Sequence, residues 1–214
     1  LLVSTDKAGH PTSVMGATKR AAEVIVQSLA KTSKTRFVGV RFGNVLGSSG
    51  SVLTIFQDQL EKGGPLTVTD EQVTRYFMTQ EEAVGLILQT VSMARGGDVF
   101  VLKMGTPVRI YDMAKNMILL SGLEPGKDIQ IVISGLKQGE KLNEELVEDP
   151  SGISPSEHPE IMLLGKENAP EAEIEKRMLD FEILSRGADI QAMLAKIQEL
   201  VPTFRPDPAH GMVK

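Results

Sequence analysis

An acid and an amine stand side by side in the segment STDKAGHPTSVMGATKR, residues 4–20. Asp6 and Lys7 directly follow the apolar run LLV, and Met15 and Lys19 come later, four residues apart. Residues four apart on a helix share one face, so Met15 and Lys19 are expected to point the same way. An Asp and a Lys that meet in one cleft can act as a general acid and a general base. Met15 cannot exchange a proton, so its position offers no ionisable group.

The strand and helix signals around these residues alternate along the chain. LLVS indicates a buried strand, and Thr12 or Ser13 can cap a helix through VMGATKRAAEVIVQSLAKT. The remaining signals predict strands at 36–42, 65–69, 98–104 and 129–134, and helices that begin at Ser51, Thr79 and Ile110. This alternation predicts an α/β fold with a largely parallel sheet, in which ligands bind beyond the carboxyl ends of the strands. STDK directly follows such a strand.

The composition excludes several classes of function. The 214 residues carry a net charge of -5, with a pI near 5.3, so binding to nucleic acid or to anionic membranes is not expected. The chain has no cysteine, which excludes disulfides, thiolate metal sites and a cysteine nucleophile, and we expect no metal. No apolar run is long enough for a membrane span and no signal segment opens the chain, so we expect a cytoplasmic protein.

Four segments, in this order, resemble one known family. STDKAGHPTSVMGATKRAAE resembles the active-site segment of extended short-chain dehydrogenase/reductases. More narrowly, it is similar to that of UDP-N-acetylglucosamine 4,6-dehydratases of bacterial polysaccharide biosynthesis, in the branch with Met-x-x-x-Lys. The other three segments resemble the family's Arg-x-x-Asn-Val-x-Gly, Thr-Arg-[Phe/Tyr]-Phe-Met and Gly-Glu-Lys-Leu motifs; they are VRFGNVLGSSGSVLTIF, VTDEQVTRYFMTQEEAV and GLKQGEKLNEEL. The resemblance runs from residue 1 to about residue 165.

This resemblance implies an NAD-dependent lyase that makes a 4-keto-6-deoxy sugar from UDP-N-acetylglucosamine. Such an enzyme oxidises C4 of the sugar, eliminates water across C5 and C6, and reduces C6. The resemblance implies Asp6 as the acid at C6 and Lys7 as the base at C5, with Thr5 positioning the substrate. It also implies that Lys19 holds the nicotinamide ribose and that Met15 fills space beside the nicotinamide. Either a water or Lys19 would take the proton of the C4 hydroxyl. The competing interpretation is that Asp6 and Lys7 form a plain ion pair.

The later motifs imply substrate-binding residues, namely Asn44, Ser48, Ser49, Ser51, Arg75, Glu140 and Lys141. Ser51 opens a helix whose N-terminus suits a phosphate. Arg75 can bind a diphosphate with two parallel hydrogen bonds, or reach the uridine side. Glu140 is expected to accept a hydrogen bond from a ribose hydroxyl. For each residue taken alone, a surface cap or an ion pair is the competing interpretation.

The chain also departs from the family pattern. AGHPTS, residues 8–13, stands where the family usually has Ala-Val-Asn/Arg-Pro-Thr-Asn, and Lys137-Gln138 stands where Arg-Pro usually precedes Gly-Glu-Lys. The Gly-rich fingerprint G-x-G-x-x-G is not found, and GNVLGSSG does not have its spacing. We therefore expect that the NAD site is completed by a missing N-terminal half.

The chain opens on the end of a strand, without Met, and is expected to be the C-terminal portion of a longer protein. The expected division has three parts. Residues 1–45 form the C-terminal part of a Rossmann domain with the active-site segment. Residues 46–165 form a smaller α/β nucleotide-sugar-binding lobe interleaved with the remaining Rossmann elements. Residues 166–214 form a C-terminal helical extension with a frayed tail.

Two other functions compete with the dehydratase. A nucleotide-sugar C4-epimerase or reductase of the same family needs an acid/base at C4, usually a Tyr on the active-site helix, and has no need of the Asp-Lys pair. A non-catalytic fragment would at most bind a nucleotide sugar, and we expect the isolated chain to be inactive. The family implies pairing of subunits as a homo-oligomer. It also implies membrane attachment only through the missing N-terminal region, at the inner face of the membrane.

Overall fold

The computed structural model describes residues 1–147, 149–165, 174–187 and 189–205. Contacts group the chain into two compact units. Unit 1 comprises residues 1–42, 86–103 and 145–214, and unit 2 comprises residues 43–85 and 104–144. The boundaries at residues 45 and 165 that the sequence suggested stay a prediction.

Helices and strands alternate through most of the described residues. The helices are α1 (Val14–Thr32), α2 (Val52–Glu61), α3 (Gln80–Met93), α4 (Ile110–Leu120), α5 (Ile174–Arg186) and α6 (Ile190–Leu200). The strands are β1 (Leu2–Val3), β2 (Val38–Arg41), β3 (Asn44–Val45), β4 (Leu66–Val68), β5 (Thr74–Arg75), β6 (Phe77–Met78), β7 (Asp98–Leu102), β8 (Val108–Arg109), β9 (Ile131–Ile133), β10 (Ile153–Pro155) and β11 (Ile161–Leu164).

Unit 1 is built on a five-stranded sheet in the order β1-β2-β7-β11-β10. β1, β2 and β7 are parallel, whereas β11 and β10 run antiparallel to their neighbours. Every residue of β2 and β7 is buried, as expected for parallel strands covered on both faces. The backbone ladder between β1 and β2 continues past Val3, because the amides of Ser4 and Asp6 donate to the carbonyls of Val40 and Phe42. The segment after β1 therefore lies at the carboxyl end of the sheet.

Helix α1 packs against the C-terminal helix α6 in unit 1. Small and apolar side chains of α1 share one buried core with α6 and the residues that directly follow it. The members are Ala17, Ala21, Val24, Ile197, Leu200, Val201 and Phe204. Three- and four-residue spacing places these α1 residues on one face of the helix. Ser13 caps α1, since its hydroxyl accepts a hydrogen bond from the amide of Gly16 at 3.2 Å.

Unit 2 is built on the parallel pair β4 and β9, with α2 and α4 packed against it. Its buried core consists of Phe56, Leu66, Val68, Val73, Ile110, Ala114, Ile118 and Ile129. Ser51 caps α2 by accepting a hydrogen bond from the amide of Thr54 at 3.4 Å. Two further pairs, β3 with β6 and β5 with β8, fix the segments that carry Asn44 and Arg75.

The predicted α/β fold, with a parallel sheet and C-terminal helices, is confirmed. The capping box of α3 is present as well, because Thr79 and Glu82 each accept a hydrogen bond from the other's amide. The antiparallel hairpin of β10 and β11 was not predicted, because IMLL is too short and too uniformly apolar for its periodicity to distinguish strand from helix. The predicted frayed tail lies, from residue 206 onward, outside the described residues.

Candidate functional site

The Asp6–Lys7 pair lies on a single turn of 3-10 helix, Asp6–Ala8, at the carboxyl end of β1. Thr5 caps this turn in an extended conformation, and its side chain accepts a hydrogen bond from the amide of Lys7. The amide of Ala8 donates to the carbonyl of Thr5 at 3.1 Å. An extended strand that changes directly into a tight turn thus presents the two side chains together.

One oxygen of the Asp6 carboxylate gathers three hydrogen bonds. Oδ1 accepts from the Thr5 hydroxyl at 2.8 Å, from the Lys7 amide at 2.9 Å and from Lys7 Nζ at 2.9 Å. The Asp6 side chain is fully buried, and 26% of the Lys7 side chain is exposed. Oδ2 is buried and has no hydrogen-bond partner within the described part of the chain. Unsatisfied buried oxygens are rare in folded proteins, so Oδ2 sets Asp6 apart from an ordinary buried carboxylate.

Helix α1 brings two further predicted residues beside this turn. Gly16 makes the approach possible, because a Cβ at that position would lie 2.4 Å from the carbonyl oxygen of Lys7. Lys19 Nζ donates to the carbonyl of Val3 at 3.2 Å, which ties α1 to the end of β1. Met15, one helical turn before Lys19, is 47% exposed.

Unit 2 contains a cavity of about 570 Å³ within the size range of small-molecule sites. Six of the seven residues predicted to bind substrate line it: Asn44, Ser48, Ser49, Ser51, Arg75 and Glu140. Lys141 is not among the lining residues. The loop 43–51 and the N-terminus of α2 form one wall, and the cavity's apolar side includes the buried ring of Phe56. A polar wall facing an apolar one is suited to a ligand with a charged part and a flat apolar part.

Arg75 and Glu140 form an ion pair within this cavity. Arg75 Nη2 donates to Glu140 Oε1 at 2.7 Å, and the same oxygen accepts from the Thr69 hydroxyl at 3.0 Å. Arg75 Nη1 donates to the carbonyls of Thr74 and Leu142. The structure thus shows Arg75 and Glu140 as an ion pair. That these side chains bind a ligand is a proposal.

Sequence reasoning missed several residues of the cavity, and two of them contact Glu140. Thr69 and Lys137 line the cavity, although neither was predicted to bind substrate. Lys137 stands in the motif GLKQGEKLNEEL, and its amide donates to Glu140 Oε2 at 3.0 Å. Its position in this motif, three residues before Glu140, could have indicated that it lines the same cavity. Thr69 carried no comparable signal, because its role depends on a partner 71 residues away in the chain.

None of the described helices is both long and apolar enough to cross a bilayer. In the part of the chain that the structure describes, no three His, Cys, Asp or Glu side chains come together as metal ligands would.

Comparison with curated proteins places the site in context. CapD of Staphylococcus aureus, a capsular polysaccharide biosynthesis protein, is 59% identical over 148 residues, which cover 69% of this chain and 24% of CapD. A UDP-N-acetylglucosamine 4,6-dehydratase (inverting) of Campylobacter jejuni is 34% identical over 151 residues, covering 69% of this chain and 42% of the enzyme. A UDP-glucose 4-epimerase of Rickettsia canadensis is 33% identical over 151 residues, with the same coverage. The chain thus spans about a quarter of the length of CapD.

Solved structures share the fold. Pen from Bacillus thuringiensis superposes with a TM-score of 0.69 at 32% identity, covering 83% of this chain and 60% of Pen. DesIV of Streptomyces venezuelae, a dTDP-glucose 4,6-dehydratase with NAD and TYD bound, has a TM-score of 0.60 at 17% identity. That match covers 67% of this chain and 49% of DesIV, and it bears on the fold alone.

The family drawn from the four motifs can now be stated. The family described as polysaccharide biosynthesis protein matches residues 1–166, which include the Asp6–Lys7 turn and the cavity of unit 2. The relatives include a UDP-N-acetylglucosamine 4,6-dehydratase and a UDP-glucose 4-epimerase. The chain belongs to the polysaccharide biosynthesis protein family, a family of nucleotide-sugar-modifying proteins with a Rossmann-type fold.

Proposed function

We propose that the full-length protein is an NAD-dependent 4,6-dehydratase of UDP-N-acetylglucosamine, and that this chain supplies its acid–base pair and its nucleotide-sugar pocket. The observation that carries the proposal is the Asp6–Lys7 contact. A fully buried carboxylate is bonded to an amine at 2.9 Å, and its second oxygen is left without a partner. A buried carboxylate oxygen without a partner is unusual for a purely structural ion pair.

The contact supplies both proton transfers of the elimination. A proton that moves from Lys7 Nζ to Asp6 Oδ1 turns the ion pair into a neutral amine and a carboxylic acid. The Lys7 amine then removes the proton at C5, and Asp6 gives its proton to the C6 hydroxyl as the C6–O bond breaks. The Thr5 hydroxyl, bonded to Asp6 Oδ1 at 2.8 Å, holds the carboxyl group in place during this exchange. Lys7 afterwards returns a proton to C5. The proton that the C4 hydroxyl loses on oxidation passes to a water or to Lys19, and its return to the pair restores the starting state.

The residues of this chain fit part of an NAD site. The Lys19 ammonium donates one hydrogen bond, to the carbonyl of Val3. Because a lysine ammonium has three donors, Lys19 can also bind ribose hydroxyls. The Gly-rich cradle for the pyrophosphate is not found in the 214 residues, so these residues hold only the nicotinamide end. Bound NAD would supply the oxidation at C4 and the reduction at C6. Met15, half-exposed one turn before Lys19, can cover that end without exchanging a proton.

We assign the cavity of unit 2 to the nucleotide part of the substrate. Ser49 and Ser51 stand at the N-terminus of α2, where backbone amides and the helix dipole favour a phosphate. Arg75 reaches the same cavity and is bonded to Glu140. A bound diphosphate would take the place of the Glu140 carboxylate beside Arg75. Glu140 would then accept a hydrogen bond from a ribose hydroxyl.

The alternative activity, C4 epimerisation, is supported by the similarity to the Rickettsia epimerase. It requires a side chain that exchanges a proton with the C4 hydroxyl. Met15 occupies the position where the family usually has that Tyr and cannot serve. The buried Asp6–Lys7 pair, in turn, has no task in epimerisation. Because the dehydratase also loses the C4 hydroxyl proton when C4 is oxidised, the Asp6–Lys7 pair is the observation that favours the dehydratase.

The proposal is tested by removing the base. Lys7→Ala in the full-length protein is expected to lower the rate of water release by a factor of about 10² to 10⁴, the usual contribution of a general base. Lys34→Ala is the matched control, because Lys34 is an exposed lysine of the same unit. Circular dichroism would establish that both variants fold. Near-normal turnover by Lys7→Ala would show that the pair is not catalytic.

A further inference from the structure

A buried charged cluster lies directly behind the catalytic turn. Glu23 of α1 is fully buried and receives Arg41 through two bonds, from Nε to Oε1 at 2.8 Å and from Nη2 to Oε2 at 2.6 Å. Arg20 Nη1 donates to Oε2 at 3.0 Å, and the hydroxyl of Ser4 donates to Oε1 at 2.5 Å. The proposed proton transfers use none of these side chains.

The cluster holds Glu23 ionised. Burial alone would raise the pKa of Glu23, but the hydrogen bonds and charge of Arg41, together with Ser4 and Arg20, outweigh it and hold the pKa below its ordinary value. A buried ion cluster adds little net stability, because the desolvation of its charges offsets their attraction. Its effect is to fix where the attached groups lie.

Ser4 connects the cluster to the catalytic turn. It is buried, it directly precedes Thr5, and its amide donates to the carbonyl of Val40 at 2.8 Å. Its hydroxyl is bonded to Glu23, so the residue is held from two directions. Arg41 follows Val40 in β2. The strand that pairs with the segment of Ser4 therefore also supplies Arg41 to the cluster.

We propose that Ser4 and Glu23 are positioning residues, which fix the start of the Thr5-Asp6-Lys7 turn so that Asp6 and Lys7 meet the sugar in one orientation. The inference rests on the proposed function for its catalytic consequence. Its structural content, the restraint on the turn, can be measured without any turnover. Neither residue touches the substrate in this account.

The test uses Ser4→Ala in the full-length protein, since alanine removes the hydroxyl and leaves the Glu23–Arg41 contacts in place. Ser28→Ala is the matched control, a buried serine on the same helix as Glu23. Hydrogen exchange at the amide of Asp6 reports the restraint, because that amide donates to Phe42 at the start of the turn. Amides of β7 report global unfolding. Steady-state kinetics with UDP-N-acetylglucosamine report the consequence for catalysis.

Ser4→Ala is expected to speed exchange of the Asp6 amide about tenfold and to lower kcat about tenfold with KM unchanged, the effect of one hydrogen bond to a charged group. Ser28→Ala is expected to leave both values at those of the wild type. Unchanged exchange at Asp6, or faster exchange with wild-type kcat, overturns the inference. Failure of the wild-type protein to release water would overturn the proposed function instead, and the exchange rates would still decide whether Ser4 restrains the turn.

Discussion

The substitution Gly16→Ala adds a single methyl group and should lower the rate of catalysis while the protein still folds. Glycine lets α1 approach the Asp6–Ala8 turn, and a Cβ there would lie 2.4 Å from the carbonyl oxygen of Lys7. Ordinary van der Waals contact begins at 3.4 Å, so Gly16→Ala must push the helix and the turn apart by about 1 Å. The obstacle is backbone, which cannot rotate away as a flexible side chain can.

The size of the expected effect follows from that displacement. A misplacement of 1 Å at a catalytic group lowers the rate by a factor of about 10². Overpacking costs about 1–3 kcal/mol of stability, against which alanine in a helix gains up to about 1 kcal/mol over glycine. We therefore predict a loss of about two orders of magnitude in water release, with a net loss in unfolding free energy of about 2 kcal/mol or less.

The assay combines urea unfolding with product analysis of the full-length protein at a temperature where both variants are folded. Gly85→Ala is the matched control, because Gly85 also lies in a helix, α3, and a Cβ there meets nothing within 4 Å. That control should unfold at a urea concentration at or above that of the wild type and turn over normally. Wild-type turnover by Gly16→Ala would refute the claim that α1 sets the position of Lys7.

Two further predictions concern the cavity and the buried cluster. Arg75→Ala should weaken the binding of UDP, measured by calorimetry, by a factor of about ten or more, because a charge-assisted hydrogen bond is lost. The control is Arg109→Ala, since Arg109 belongs to the same unit but lies outside the cavity, and this variant should bind UDP as the wild type does. Equal affinities of the two variants would refute the diphosphate assignment. Because Arg41 and its neighbours lower the pKa of Glu23, the stability that this carboxylate contributes is full above its ordinary value of 4.5 and is lost as pH falls through the lower folded value. Urea midpoints measured from pH 7 to pH 3 should therefore fall less for Glu23→Gln than for the wild type, and parallel pH profiles would contradict this linkage.

The amino-acid pattern predicts the elements that carry the site, because their signals are local. Ser13 and Ser51 are capping residues with helix formers behind them, and Val38–Arg41 and Asp98–Leu102 are short runs rich in valine. The six predicted residues that line one cavity come from segments that lie far apart in the chain, and they were found through the resemblance of the motifs to a known family. Periodicity and spacing suffice for contacts between near neighbours in sequence.

Contacts between distant residues are the part that the sequence could not supply. The bond of Ser4 to Glu23 joins residues 19 apart, and that of Thr69 to Glu140 joins residues 71 apart. Nothing in the pattern around Glu23 indicates that a glutamate on α1 faces inward, since most such residues are solvated. Arg20 is a near neighbour of Glu23 on α1, but only the packing of α1 on β1 and β2 brings Arg41 and Ser4 to it.

The central claim, that the Asp6–Lys7 pair removes and replaces the C5 proton, is tested most directly by turnover in heavy water. The full-length protein would be incubated with UDP-N-acetylglucosamine and NAD in D₂O, and the product examined by mass spectrometry and NMR. Our account predicts a product lighter by one water that carries one deuterium at C5, and Lys7→Ala should form none of it. A product of unchanged composition with inverted C4 and no deuterium on carbon would contradict the account.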